Sequence, residues 1–249
     1  MIPQALFRRV SALTLAAAAT TLTLAACNQG GGGAAPAADA GAAPALPLAT
    51  GAATPIAPAP RAAALPAAPP APIARVASQS DAYAYVDQAA AMTNAIGDAP
   101  PDYGVDYDGG RPWVWRSARD AVRVVEPVEG GWRYYYYEPG ASYPYYIRDP
   151  DYAYGYADGR LVAVYGPGGV LEPYGVVEQR AEFAGRFLAR ARALYRAALN
   201  DQRQAVIAAN WAARRAEIDA AQAQWNEERA RQSAWAAYHE AHVSQEEAF

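Results

Sequence analysis

Three features of this 249-residue chain predict an α+β fold, a small Tyr-rich antiparallel β-meander followed by a long C-terminal helical arm or helical hairpin. Between Arg111 and Tyr174, aromatic and β-branched runs are punctuated at roughly 8–12-residue intervals by Gly, Pro or Asp, the rhythm of adjacent short strands. From Val176 to Phe249 there is no proline and a lone glycine, Gly185, among Arg, Ala, Glu and Gln. That is the composition of long helices. Residues 28–80 are dominated by Ala, Pro and Gly. Proline removes backbone donors and alanine offers little apolar surface to offset chain entropy, so this stretch reads as a disordered Ala/Pro tether.

Such a tether would average roughly 40 Å end to end and approach roughly 150 Å as extended polyproline II. Composition changes at Ser80-Asp81, where Asp81 can cap a short helix over 83–96, with Gly97 at its C-terminal end. Asp98-Ala-Pro-Pro101 breaks the chain. Strands are then expected over 112–115, 121–128, 132–138, 143–148, 160–165 and 170–174, joined by turns at Glu129-Gly-Gly131, Pro139-Gly140, Asp158-Gly159 and Gly166-Pro-Gly-Gly169. Two stretches echo one another: Pro101-Asp102-Tyr103 through Asp108-Gly109, and Pro150-Asp151-Tyr152 through Asp158-Gly159, each followed by an arginine and a strand. This spacing is compatible with a duplicated β-unit or with chance likeness between Tyr/Asp/Gly-rich turns.

In the C-terminal region Phe183, Phe187, Arg190 and Leu194 share one helical face, and Ile207, Trp211, Arg214, Ile218 and Trp225 share another. The stripe changes phase near Asn200-Asp201, which predicts two helical segments. Ile207, Trp211, Ile218 and Trp225 form a seam that either packs on the sheet or meets a partner or a second copy of the chain.

The N-terminus carries Arg8 and Arg9 followed by an apolar run, Val10 to Ala26, ending in Leu24-Ala25-Ala26-Cys27. This pattern resembles the lipobox of bacterial lipoproteins. The resemblance covers residues 1–28 and implies cleavage after Ala26 with lipidation of Cys27, which satisfies the need for more than one acyl chain in a stable anchor. In that family an aspartate after the cysteine often retains the protein in the inner membrane. Asn28 stands there instead, which implies a cell-envelope protein on the outer membrane. The domain boundaries are then 1–26 signal peptide, 27–80 lipidated cysteine and linker, 81–175 helix plus sheet, and 176–249 helical arm. The globular part resembles no family of known activity.

Composition excludes several chemistries. The formal charge is -4, and every one of the 21 basic residues is arginine. Loss of Arg8 and Arg9 leaves 19 arginines against 25 acids, a net of -6, which argues against nucleic acid as a partner. Without lysine there is no Schiff base or P-loop. With Cys27 acylated no thiol remains, and both histidines, His239 and His242, lie near the C-terminus. Their i,i+3 spacing lacks a third ligand, and Asp102, Asp106 and Asp108 fail the calcium-loop pattern, so no metal or cofactor is expected. Glu138, Asp149 and Asp151 offer a remote carboxylate-hydrolase reading.

The densest aromatic cluster is Trp132-Arg133-Tyr134-Tyr135-Tyr136-Tyr137, followed by Tyr143, Tyr145 and Tyr146. Strand alternation sends Trp132, Tyr134 and Tyr136 to one face and Tyr135 and Tyr137 to the other. With one face on a helix, the other displays tyrosines, and Tyr135, Tyr137, Tyr145 and Tyr146 are candidate binding residues for an envelope glycan or protein. Cross-strand packing is the competing account. The expectation is a membrane-anchored, non-catalytic binding or scaffolding role, with self-association through the helices as the alternative.

Overall fold

A computed structural model describes residues 44–243. Cys27, the signal-like segment and residues 244–249 lie outside the described residues. Helix α1 (Tyr83–Ile96) comes first, followed by strands β1 (Tyr103–Val105), β2 (Trp113–Arg116), β3 (Val122–Val128), β4 (Gly131–Tyr137), β5 (Tyr146–Arg148), β6 (Ala153–Ala157) and β7 (Arg160–Tyr165). Helix α2 (Tyr174–Asn200), strand β8 (Arg203–Gln204), helix α3 (Ala208–Arg231) and helix α4 (Ser233–His242) complete the order.

Strands β1 to β7 form a continuous antiparallel meander, and β8 returns to pair with β1, giving the eight-stranded order β7-β6-β5-β4-β3-β2-β1-β8. The α+β layout therefore holds. Both echoing stretches are hairpins: Asp108-Gly109 and Asp158-Gly159 each take two consecutive positive φ angles (51° and 74°, 49° and 76°). Two left-handed residues in a row are the mark of a type I′ turn, whose twist matches the strands it joins. The echo thus marks two equivalent hairpins, β1–β2 and β6–β7.

Strand alternation divides the core between two faces. One buries Tyr103, Val114, Val124, Tyr135, Tyr137, Tyr154 and Leu161 against Val177, Ala184, Phe187, Ala191 and Leu194 of α2. The other buries Trp113, Trp115, Trp132, Tyr134, Tyr136, Tyr146 and Tyr165 against Val86 and Met92 of α1, Trp211, Ile218 and Trp225 of α3, and Trp235 of α4. The C-terminal helices do not extend as an arm. They wrap the sheet from both sides, α2 on one face and α3 with α4 on the other. Helix α2 ends at Asn200, where the stripe changes phase, and α3 starts at Ala208 after β8.

Three further expectations are corrected. Residues 44–80 are not a tether but a strap laid across the domain. Ala49 N–H donates to Val206 O, Ala59 N–H to Pro127 O, Ala71 N–H to Ala181 O and Ala74 N–H to Leu161 O, at 2.7–2.9 Å. Leu65 and Ala71 join the α2-side core. The alanines supply donors that the prolines lack, and the apolar surface they rest on is built by other elements. The expected strand over 170–174 is reduced to a bridge between Leu171 and Tyr165. Asp81 sits in a 3-10 turn before α1, and its carboxylate accepts from Ser78 N–H (2.9 Å) rather than from the start of α1.

Candidate functional site

The tyrosines named from sequence are the centre of the fold. Tyr135 and Tyr137 are fully buried under α2, Tyr145 and Tyr146 under the opposite helices. Tyr137 donates to Ala191 O (2.8 Å), and its ring lies 4.9 Å from Tyr195. Tyr146 packs edge-on against Trp225 at 5.8 Å. Burial holds all four hydroxyls above the ordinary phenol range, so the rings stay neutral. The alternation of faces is as expected, but α2 covers the face left open in the sequence reading. The seam is likewise turned inward: Trp211, Ile218 and Trp225 are buried against the sheet and α1, while Ile207 is half-buried beside the strap.

Beneath α2 lies a charged cluster that sequence reasoning missed. Glu126 is 2% exposed, Arg133 0% and Arg190 7%. Arg190 grips Glu126 with Nε (2.9 Å to Oε1) and Nη2 (2.8 Å to Oε2), and its Nη1 reaches Asp108 at 3.0 Å. Tyr135 donates to Glu126 Oε1 (2.7 Å), and Arg133 bonds Glu126 Oε1 (3.1 Å), Asp149 Oδ2 (2.7 Å) and the strap carbonyl of Pro60 (3.0 Å). Desolvation works against both guanidinium groups, but the carboxylates of Glu126, Asp149 and Asp108 outweigh it and raise their pKa, so the charges are held firmly. One clue was present: Arg190 occupies a position in an otherwise apolar helical stripe.

Most of the remaining candidates are engaged by neighbouring side chains or backbone. Asp106 pairs with Arg111 (2.9 Å), Asp102 accepts from Arg116 N–H (2.6 Å), and Glu138 receives Gln88 Nε2. Asp149 and Asp151 line a cleft of about 90 Å³ with Glu228 and Gly166–Gly169, where Asp149 is tied to Arg133 and Glu228 to Arg148 (3.2 Å). His239 Nδ1 lies 3.1 Å from Asp87, and His242 stacks on Tyr238 at 4.0 Å. Among the described residues no group of three or more His, Cys, Asp or Glu is placed to hold a metal ion.

A concave site lies on the outer edge of β7. Strand pairing there is supplied by two short pieces: Ile73 of the strap bridges Leu161, and Leu171 bridges Tyr165. Between them opens a cleft of about 440 Å³ lined by Val76, Val162, Ala163, Leu171, Tyr174 and Val177. Arg75 and Glu172 line it as well, and the Arg75 guanidinium lies 5.1 Å from the Tyr174 ring centre. Tyr174 is 46% exposed, and the neighbouring Val170 45%. The class defined by these features is a helix-wrapped antiparallel sheet with an apolar cleft at one edge. Comparisons with protein-family models, curated proteins and solved structures gave no match.

Proposed function

We propose that the chain is a lipid-anchored protein of the bacterial cell envelope whose domain binds, without catalysis, a short extended apolar segment of a partner protein. The anchor rests on Leu24-Ala25-Ala26-Cys27. Cleavage after Ala26 and acylation of Cys27 would tie the domain to the membrane through residues 28–43. Those residues span at most about 60 Å, a far shorter reach than a tether running to residue 80.

The observation that carries the binding role is the cleft of about 440 Å³ between the two pieces that edge β7. A sheet edge with apolar walls favours an extended chain, whose backbone meets the edge and whose side chains fill the pocket. Arg75 and Glu172 add one charge of each sign for orientation. A glycan is the poorer fit, since among the described residues Tyr174 is the only aromatic lining the cleft and the Arg75 guanidinium already lies close to its ring.

A photo-crosslinking amino acid at position 174, used in whole cells, tests the binding role. The expected product joins position 174 to an extended apolar segment of one envelope protein, and Arg75→Glu reduces its yield several-fold. A crosslink pattern identical to that of a probe at an unrelated exposed position overturns it. Mass spectrometry of the N-terminal peptide tests the anchor: acylated Cys27 as the first residue is expected, and a bare Cys27 behind an intact residue 1–26 segment rules it out.

A further inference from the structure

We infer, on the binding role proposed for the cleft, that residues 66–74 of the strap form a flap that closes the β7 edge in the resting protein and is displaced when an extended segment enters. A chain that joins a sheet edge pairs with backbone groups that face outward from it. On β7 such groups are already taken. Leu161 N–H donates to Pro72 O (2.8 Å), Ala74 N–H to Leu161 O (2.9 Å) and Glu172 N–H to Val164 O (2.9 Å). The incoming backbone therefore pairs with this stretch of edge only after one of the two covering pieces leaves.

The flap is the weaker of the two. The Leu171 piece is tied on both sides of its bridge, by Gly166 N–H to Val170 O (2.9 Å) and by Glu172 N–H to Val164 O, and it runs straight into α2 at Tyr174. The flap contains Pro66, Pro69, Pro70 and Pro72, which have no N–H to donate. Beyond its bonds to Leu161, Ala71 N–H reaches Ala181 O (2.8 Å), and Ile73 O accepts from the exposed Arg160 (3.3 Å). Ala71 is buried, Ile73 and Ala74 are half-buried, and Pro69, Pro70 and Pro72 are exposed, so little apolar surface holds the flap down.

Both ends of the flap are fixed. Leu65 is 3% exposed in the α2-side core, while Val76 packs against the opposite core and Ala82 beyond it is buried. Opening pivots at these points and frees the Leu161 N–H and C=O for the incoming chain. Arg75 stays at the cleft, beside Tyr174. Closure depends on Gly185, since a methyl group there would overlap Pro69 O of the flap. Such an equilibrium lowers the apparent affinity for the segment in proportion to the fraction of molecules that are open.

Native-state hydrogen exchange reads the flap without any partner. Leu161 is fully buried, so under a fixed cover its amide exchanges only when the whole sheet opens. Under a flap it is expected to exchange together with Ala71 and Ala74, at least about 100-fold faster than the amides of β3. Equal rates for Leu161 and β3 overturn the inference. Ala71→Cys combined with Ala181→Cys, at two buried neighbours, locks the flap when oxidised. The crosslink from position 174 is expected to fall several-fold in the oxidised form and to recover on reduction. Gly185→Ala, by lifting Pro69, is expected to raise its yield several-fold even though it destabilises the fold. Equal crosslinking in all of these forms overturns the flap and leaves the binding role standing. If no form gives a specific crosslink while Leu161 still exchanges early, the binding role itself fails, and with it the flap as a gate.

Discussion

A methyl group at position 185 would overlap the carbonyl oxygen of Pro69, because the strap passes directly over α2 there. Gly185 is thus a contact surface, and it accounts for the lone glycine in a region otherwise written for helix. Gly185→Ala is expected to destabilise the protein by about 2 kcal/mol or more in urea unfolding, despite alanine's better helix propensity. Gly175→Ala meets nothing within 4 Å and is expected to be neutral or stabilising by up to about 1 kcal/mol. Glu126 is the other residue on which much depends. Glu126→Gln leaves Arg133 and Arg190 buried around a neutral amide and is expected to cost about 3–5 kcal/mol. Replacing Glu126, Arg133 and Arg190 together by apolar residues of similar volume is expected to cost much less in the same measurement, since it removes the desolvated charges as well as their pairing. The exposed pair Arg61–Glu129 lacks that leverage, and Arg61→Ala is expected to change stability by less than about 1 kcal/mol.

At the scale of elements, the strap does the work of covering surface that no regular element reaches. It runs from Ala49, beside the start of α3, past the β3–β4 turn at Ala59, over α2 at Ala71, to the β7 edge at Ile73. Proline stiffness reduces the entropy lost when such a segment docks, so its poor apolar content is no bar to order. Limited proteolysis is expected to leave 44–80 intact under conditions where an unpacked Ala/Pro linker would be cut. Cleavage throughout that stretch in folded protein would refute the strap. The helices were legible as helices from the absence of proline and the apolar stripes, and α1 from its length and Gly97. Their destinations were not. Trp211 and Trp225 occupy a seam compatible with a partner helix or a sheet, and periodicity is the same for both. β1 and β6 were missed because Tyr103–Val105 and Ala153–Ala157 are written in the Tyr/Gly vocabulary of turns, and β8 because two residues carry no period at all.

On the scale of the whole molecule, the sheet is sandwiched rather than displayed. All six tryptophans are buried, so intrinsic fluorescence is expected to be blue-shifted in the folded state and to move red on unfolding. Tyrosines Tyr135, Tyr137, Tyr145, Tyr156 and Tyr165 have pKa values raised well above the ordinary value of about 10 by desolvation. A raised folded-state pKa means that the unfolded chain releases these protons first. Stability is therefore fully present below pH about 10 and falls as pH rises beyond it. An alkaline transition involving several phenols, followed by tyrosinate absorbance and fluorescence together, is the expected outcome. Gradual tyrosine ionisation near pH 10 without loss of structure would contradict the burial.

Sequence alone determined the strand and helix vocabulary, the alternation that sends Tyr135 and Tyr137 to the opposite face from Tyr134 and Tyr136, and the lipobox-like end at Cys27. These depend on local periodicity and on residue chemistry, which the chain carries in its own order. Tertiary structure decided that both tyrosine faces are covered, that residues 44–80 close over the domain, and that an open cleft remains at the β7 edge. Covering a surface depends on which distant segment reaches it, and that is settled by long-range packing rather than by any one window of sequence.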